Sequence, residues 1–248
     1  MNTRKFSSRS GSQHLFWVAF VLSVAMLIAL AAPVYADDKQ EAIQLVEKAQ
    51  MTLQSFMADS SMGALRDLVR DARGVLVVPQ LLKGAFIVGA SGGSGVLLVR
   101  DGKADRWFGP AFYTIGGVSF GLQIGGQASE VVLLAMTERG VNSMMASSFK
   151  LGADAGVAAG PVGIGVAAST ANLSADILTF SRSKGLYGGI SLDGAVVATR
   201  GGLNEAYYGR EVTPTDIFVR RDVTNDQAHG LIGEVTNLAC SAGPTGSC

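Results

Sequence analysis

The sequence predicts an α+β fold: a glycine-rich, mainly antiparallel β core, sandwich- or barrel-like, with two helices before it and one helix near the C-terminus. Three observations carry that expectation. Apolar residues recur at three- and four-residue steps only over 38–72. From Gly74 onward, short β-branched runs are punctuated by glycine, of which the chain holds 32. At Thr213-Pro214-Thr215-Asp216 a capping hydroxyl precedes a proline suited to a first helical position, which marks a late helix.

The chain opens with Arg4, Lys5 and Arg9, then an apolar run over 15–32, then Pro33-Val34-Tyr35-Ala36 ahead of Asp37-Asp38. A basic start, an apolar middle and small residues at the third and first positions before a cut (Val34, Ala36) are what signal peptidase reads. The expectation is a signal peptide over 1–36, cleaved after Ala36. An uncleaved anchor competes with it, because a run of about 18 apolar residues reaches the lower limit for spanning a bilayer. Either way the body of the chain is exported, to a periplasm or beyond. About 210 residues then remain, enough for one domain with its own core. That domain is expected over 37–239, with a helical lead-in over 37–72, a β-rich core over 73–239 and a flexible tail over 240–248.

In the lead-in, Ile43, Val46, Ala49, Leu53 and Phe56 repeat with helical spacing between Gln, Glu and Lys. Asp59-Ser60-Ser61 then breaks the pattern and supplies a cap, after which Met62, Leu65, Leu68 and Val69 start a second helix. The polar face of the first helix mixes Asp38, Lys39, Glu41, Glu47 and Lys48, unlike the Lys/Arg-rich face of an interfacial helix, so packing on the core is preferred.

The strand signals lie at 75–78, 85–89, 95–100, 107–108 and 114–125, with a solidly apolar central strand at 131–136. In the clearest of them Val118, Phe120, Leu122 and Ile124 alternate with small or polar residues, which predicts one buried face. A helix is expected over 141–150. Alternating small and apolar residues return over 153–168, 176–181, 186–192 and 195–199. Strand faces of Gly, Ser and Ala admit a close backbone or a flat ligand, and tight sheet packing is the simpler account.

The full chain carries 20 basic and 20 acidic side chains, and three of the cations leave with the leader, so the mature chain is mildly acidic. That argues against nucleic acid as a partner. No cofactor or metal is expected: His14 leaves with the leader, and His229 has no second histidine or cysteine at ligand spacing. Cys240 and Cys248 flank a short Ser/Gly/Pro segment and either close a small disulfide in an oxidising compartment or remain free thiols. Gly89-Ala90-Ser91-Gly92-Gly93 has the letters of a nucleophile elbow, but another strand follows where the elbow needs a helix. Gly163-Ile164-Gly165-Val166-Ala167-Ala168 has the spacing of a dinucleotide fingerprint without its strand, helix or acidic residue. No catalytic residue is therefore assigned.

One cluster has the chemistry of an anion site. Ser181-Arg182-Ser183-Lys184-Gly185 gathers two cations, two hydroxyls and turn amides. Arginine offers a planar fork, lysine a point charge and turn amides a concave nest for phosphate. A solvated β-turn has the same composition.

The stretch 181–192, SRSKGLYGGISL, closely resembles the signature of the SYLF family, also called the Ysc84 actin-regulator or lipid-binding domain. Ala72-Arg73-Gly74-Val75, Val78-Pro79, Lys83-Gly84-Ala85, the strand over 96–100, Trp107 with Gly109-Pro110, Gly121-Leu122-Gln123-Ile124-Gly125 and Ala159-Gly160-Pro161-Val162-Gly163 resemble successive family blocks in order, so that the likeness spans 42–217. The resemblance implies a non-catalytic lipid-binding module. Eukaryotic members are known for binding phosphoinositides (phosphatidylinositol lipids) and for associating with actin regulators; bacterial members are commonly exported. This chain differs from the eukaryotic pattern in its signal peptide and in lacking an SH3 or FYVE companion, which makes actin an unlikely partner. The expected partner is an anionic phospholipid or membrane surface, with an envelope protein or a second copy as the alternative. Arg182, Lys184, Ser181, Ser183 and Gly185 are the expected head-group ligands, with Lys83, Arg100 and Arg106 as secondary candidates.

Overall fold

The computed structural model describes residues 35–85, 88–102, 106–120, 125–163, 175–183, 186–188 and 192–241. Asp38–Cys248 form one compact unit, whose buried side chains run from Ala42 to Ala239.

Helix α1, Tyr35–Ala58, buries the stripe Ala42, Leu45, Val46, Ala49, Leu53 and Phe56, as its periodicity predicts. The break after it works as a cap: the Asp59 carboxylate accepts from the Ser61 amide and opens a short 3-10 turn, Ser60–Met62. Helix α2, Gly63–Asp71, follows and buries Leu65, Leu68 and Val69.

Four long strands then form the middle of one sheet: β1 (Gly74–Ala85), β2 (Val88–Asp101), β3 (Arg106–Phe120) and β4 (Gly125–Ala135). Helix α3 (Glu138–Met145) leads to β5 (Ser148–Lys150) and β6 (Val157–Ala159), and then to β7 (Ile177–Ser183), β8 (Leu186–Gly188) and β9 (Val196–Thr199). The order across the sheet is β5-β9-β3-β2-β1-β4-β7-β6, with β8 hairpinned onto β7. All pairs are antiparallel except β6 with β7, and the sheet curls like half a barrel. Helices α4 (Gly201–Tyr208) and α5 (His229–Ser241) complete the described chain.

Each face of the sheet has its own core. Val75, Val77, Val96, Leu98, Phe112, Val132, Leu134, Leu178 and Phe180 pack beneath α1, α2, α4 and α5 on what we call the helix face. Leu76, Val78, Leu97, Tyr113, Leu133 and Ile177 pack on the opposite face against α3 and the segment carrying Val212, Ile217 and Phe218. Alternation along each strand sends neighbours to different cores. Across the bulge at Pro79-Gln80, where β1 shifts register against both β2 and β4, Val78 and Leu81 point the same way. The bulge presses the β1 backbone onto β2: a Cβ on Gly93 would lie 2.3 Å from the Gln80 carbonyl oxygen. Only glycine fits there.

Several expectations are corrected. Several runs read as separate short strands are pieces of longer ones, 75–78 within β1, 95–100 within β2 and 107–108 within β3, because glycines lie inside the ladder, with Gly92 opposite Gly116 and Gly84 opposite Gly126; the run over 85–89 is not one strand, since β1 ends at Ala85 and β2 opens at Val88. The helix expected over 141–150 starts earlier, where the Thr137 hydroxyl accepts from the Gly140 amide, and gives way to β5. Thr213 to Asp216 do form a cap, but it opens only a π-helical turn, Asp216–Arg220. The long C-terminal helix is α5. Val118, expected to be buried, is 75% exposed, since no helix among the described residues covers the helix face at that end of β3. Cys240 is disulfide-bonded on α5, and Cys248 lies outside the described residues.

Candidate ligand-binding groove

Helix α1 crosses the helix face over the middle of the long strands. One flank, Glu41, Gln44, Lys48, Met51 and Ser55, recurs at alternating three- and four-residue steps, so these side chains form a single wall. The sheet beside it is the floor. Together they make a groove in two connected hollows that share Lys48, Pro79 and Gln80. One, of about 670 Å³, is lined by Lys48, Met51, Thr52, Ser55, Glu130 and Arg182. The other, of about 270 Å³, is lined by Glu41, Gln44, Lys48, Leu82, Gly92 and Ser94. The Pro79-Gln80 bulge lies between them, and Pro79 has no amide to leave unpaired.

An arginine closes each end of the wall. On β7, Arg182 stands opposite Glu130 of β4, pairs with its carboxylate, donates to the Ser55 hydroxyl and lies with its guanidinium 5.5 Å from the Phe56 ring centroid. Its side chain is 21% exposed, so this is a largely enclosed pair. At the other end Arg200 donates to Glu41 at 2.5 Å and to the Ser94 hydroxyl at 2.8 Å. Both carboxylates that line the groove are thus already matched. Lys48, exposed between them, forms no ion pair among the described residues.

The residues singled out from sequence do not converge on one point. Ser181 is buried on the opposite face. Ser183, also on that face, accepts from the Gln127 side chain at 2.8 Å and donates to the Ala128 carbonyl. Gln127 is the register partner of half-buried Lys83, so Lys83 and Ser183 lie near each other across β4, behind the sheet from Arg182. Lys184 and Gly185 lie outside the described residues. Arg100 and Arg106 sit at the other end of the strands. Arg100 donates to the Arg70 carbonyl with its guanidinium 5.9 Å from the Trp107 ring, and Arg106 lies as far from the Phe108 ring. From Ser91, which faces Lys83, to Arg100 is nine steps along β2, about 30 Å. One head group does not reach both ends.

Ser91 lies within β2, between Lys83 and Gly117, with its hydroxyl 3.4 Å from the Gly117 carbonyl; the strand-turn-helix geometry of a nucleophile elbow is absent there. Sequence reasoning missed Glu130 as the partner of Arg182, because only the strand register pairs them. Lys48 had been counted among the polar residues of α1. The recurrence of Glu41, Lys48 and Ser55 seven residues apart was the available sign that they share a flank.

The family model described as "Las17-binding protein actin regulator", Ysc84, matches residues 116–238. Similar proteins include SH3 domain-containing YSC84-like protein 1 of Rattus norvegicus, 32% identical over 155 residues, which cover 61% of this chain and 44% of that protein. Protein YSC84 of Saccharomyces cerevisiae is 28% identical over 185 residues, 71% of this chain and 39% of its own length. LAS seventeen-binding protein 3 of the same species is 29% identical over 159 residues, 62% and 34% respectively. The chain spans less than half the length of these relatives.

Proposed function

Because the chain belongs to the Ysc84 (SYLF) family, we propose that it is a non-catalytic, exported lipid-binding protein that recognises anionic, phosphoinositide-like phospholipid at the groove beside α1. The observation that carries this reading is the charge balance of the groove. Glu41 and Glu130 are held by Arg200 and Arg182, so the charge left facing outward is that of Lys48. Arg182 supports the site by cancelling Glu130 and is not itself a free ligand. Lys83 and Ser183 add a second polar point behind β4.

Each lysine near an anionic surface contributes about 1 kcal/mol, so electrostatics alone gives weak, salt-sensitive attachment. Sedimentation of residues 38–248 with vesicles of equal parts phosphatidylglycerol and phosphatidylcholine tests this against phosphatidylcholine alone. Binding is expected only to the anionic vesicles, and Lys48→Ala weakens it about fivefold. Equal binding to both vesicles, or to neither, overturns the reading.

The family description, with its reference to Las17 binding, favours a protein partner as the second reading. An exported chain does not meet actin, so the partner on this reading is an envelope protein or a second copy. A stable oligomer in light scattering that ignores vesicles of either kind selects it.

A further inference from the structure

Of the five large apolar side chains exposed among the described residues, three are grouped on one face of the sheet, while Met51 lies on α1 and Val219 on the π-helical turn. Leu82, Val118 and Val196 are 53%, 75% and 45% exposed, and all three project from the helix face, beyond the flank of α1. Strand register joins them. Leu82 faces Gly92, Gly92 faces Gly116 and Gly116 faces Val196, while Gly84 faces Ala90 and Ala90 faces Val118. Leu82 and Val196 therefore stand three strand spacings apart, about 14 Å, on either side of a floor with no side chain taller than a methyl group. The smaller hollow of the groove opens onto this floor through Leu82 and Gly92. Exposed aliphatics grouped on one face mark an interaction surface, where isolated ones do not.

Charge decides the occupant. Lys48 stands on the α1 side of the floor, and Lys150 faces Val196 at its far edge, so a cation borders the apolar patch at each side. In a two-fold contact with a second copy the same patch would meet itself and bring lysines towards lysines. An anionic bilayer presents the complement: acyl chains for the aliphatics and phosphates for the lysines.

We infer that this open stretch of the helix face is the surface that lies on the bilayer, with Leu82, Val118 and Val196 entering the acyl boundary and Lys48 and Lys150 at phosphate level. The inference rests on the lipid reading above and extends it from one head group to an orientation of the whole domain. Helix α3 and the 212–223 segment then face away.

Tryptophan placed at single positions in residues 38–248 reads the orientation directly, since the native Trp107 is buried. With anionic vesicles containing brominated phosphatidylcholine, Val118→Trp and Leu82→Trp lose at least half of their added fluorescence. Val219→Trp, at a 60% exposed site on the π-helical turn, keeps its own. A second variant, Val118→Asp, leaves the melting temperature unchanged and weakens vesicle binding at least fivefold. Vesicle binding with no quenching at 82 and 118, or with equal quenching at 219, overturns the orientation and leaves the lipid reading intact. Failure to bind the vesicles at all removes both. A dimer that Val118→Asp dissociates overturns the inference in favour of self-contact.

Discussion

The two halves of the long strands obey different rules. Near the start of β1, residues 75–78, 96–99, 131–135 and 177–180 are buried on both faces, and their side chains build two cores. Towards the other end the same strands continue through Gly84, Gly92, Gly93, Gly116 and Gly126, with Leu82 and Val118 in solvent. Pairing nevertheless carries on, from Val96 opposite Phe112 out to Gly89 opposite Ser119. In the far half the ladder is extended from a buried base, and little of its order comes from burying its own side chains. The base supplies stability and the far half is left free to present a surface.

Phe112 and Val118 test this most severely, since both lie on β3 and both point to the helix face. Phe112→Ala is expected to cost ~3–5 kcal/mol in urea melts, as a fully buried aromatic leaves a cavity beneath α4. Val118→Ala is expected to change stability by less than about 0.5 kcal/mol. A cost above about 2 kcal/mol at Val118 breaks the comparison, because it means that the far half is packed against something.

Glycine sharpens the comparison within the far half itself. A Cβ on Gly93 collides with the β1 backbone at the bulge, whereas one on Gly84 meets nothing within 4 Å. Gly93→Val is therefore expected to destabilise by about 1–3 kcal/mol. Gly84→Val is expected to be neutral or to stabilise by up to ~1 kcal/mol, since valine suits an extended backbone better. Thermal melts of the two variants side by side read the difference.

The ion pair at the border between the halves comes next. Removing Arg182 strands the Glu130 carboxylate under α1 and frees the Ser55 end of that helix. With side chains 21% and 29% exposed, solvent screens part of the loss, and Arg182→Met is expected to cost about 1–2 kcal/mol. Glu130→Gln on the same background restores part of it, and a double-mutant cycle measures the coupling.

Periodicity made α1 and α2 legible in the sequence, together with the cap at Asp59 and the central strand β4, because each is decided by residues close along the chain. The far half was not legible in the same way. Glycine at 92, 93 and 116 reads locally as a break, and only its partners on adjacent strands explain why it sits inside a ladder. Alternation set Val118 on a face expected to be buried, but it says nothing of whether anything covers that face, and Val118 is exposed. Helix α4 was missed because Gly201-Gly202 reads as a turn. Its place is fixed by tertiary contacts, among them the Asn204 side chain accepting from the Phe112 amide at 2.9 Å. The candidate site shows the same limit. The residue types around 181–185 suggested anion chemistry, whereas the pairing of Arg182 with Glu130 and the outward charge of Lys48 emerge only once β4, β7 and α1 are brought together.

The base half also carries the pH dependence, through Asp176 at the mouth of β7. Its carboxylate accepts from the Thr137 hydroxyl at 2.6 Å and from the Gly156 amide at 2.9 Å, with Arg139 at 3.8 Å. Thr137 in turn caps α3, so the two oxygens of one ionised carboxylate steady a helix start and the β6–β7 junction. The Thr137 hydroxyl above all, and then the Gly156 amide, hold the Asp176 carboxyl below its ordinary range. A proton consequently binds the unfolded chain more tightly than the folded one. The stabilisation is complete above about pH 4 and is lost as pH falls through the folded value. Asp176→Asn is expected to cost ~1 kcal/mol at neutral pH, and the gap between variant and parent narrows at acid pH, as pH falls through the folded value. Urea midpoints at the two pH values measure it. A gap that stays the same at both means that the carboxylate charge does not pin the base, and the acid sensitivity of the fold then has to be sought among the ion pairs that fasten α1.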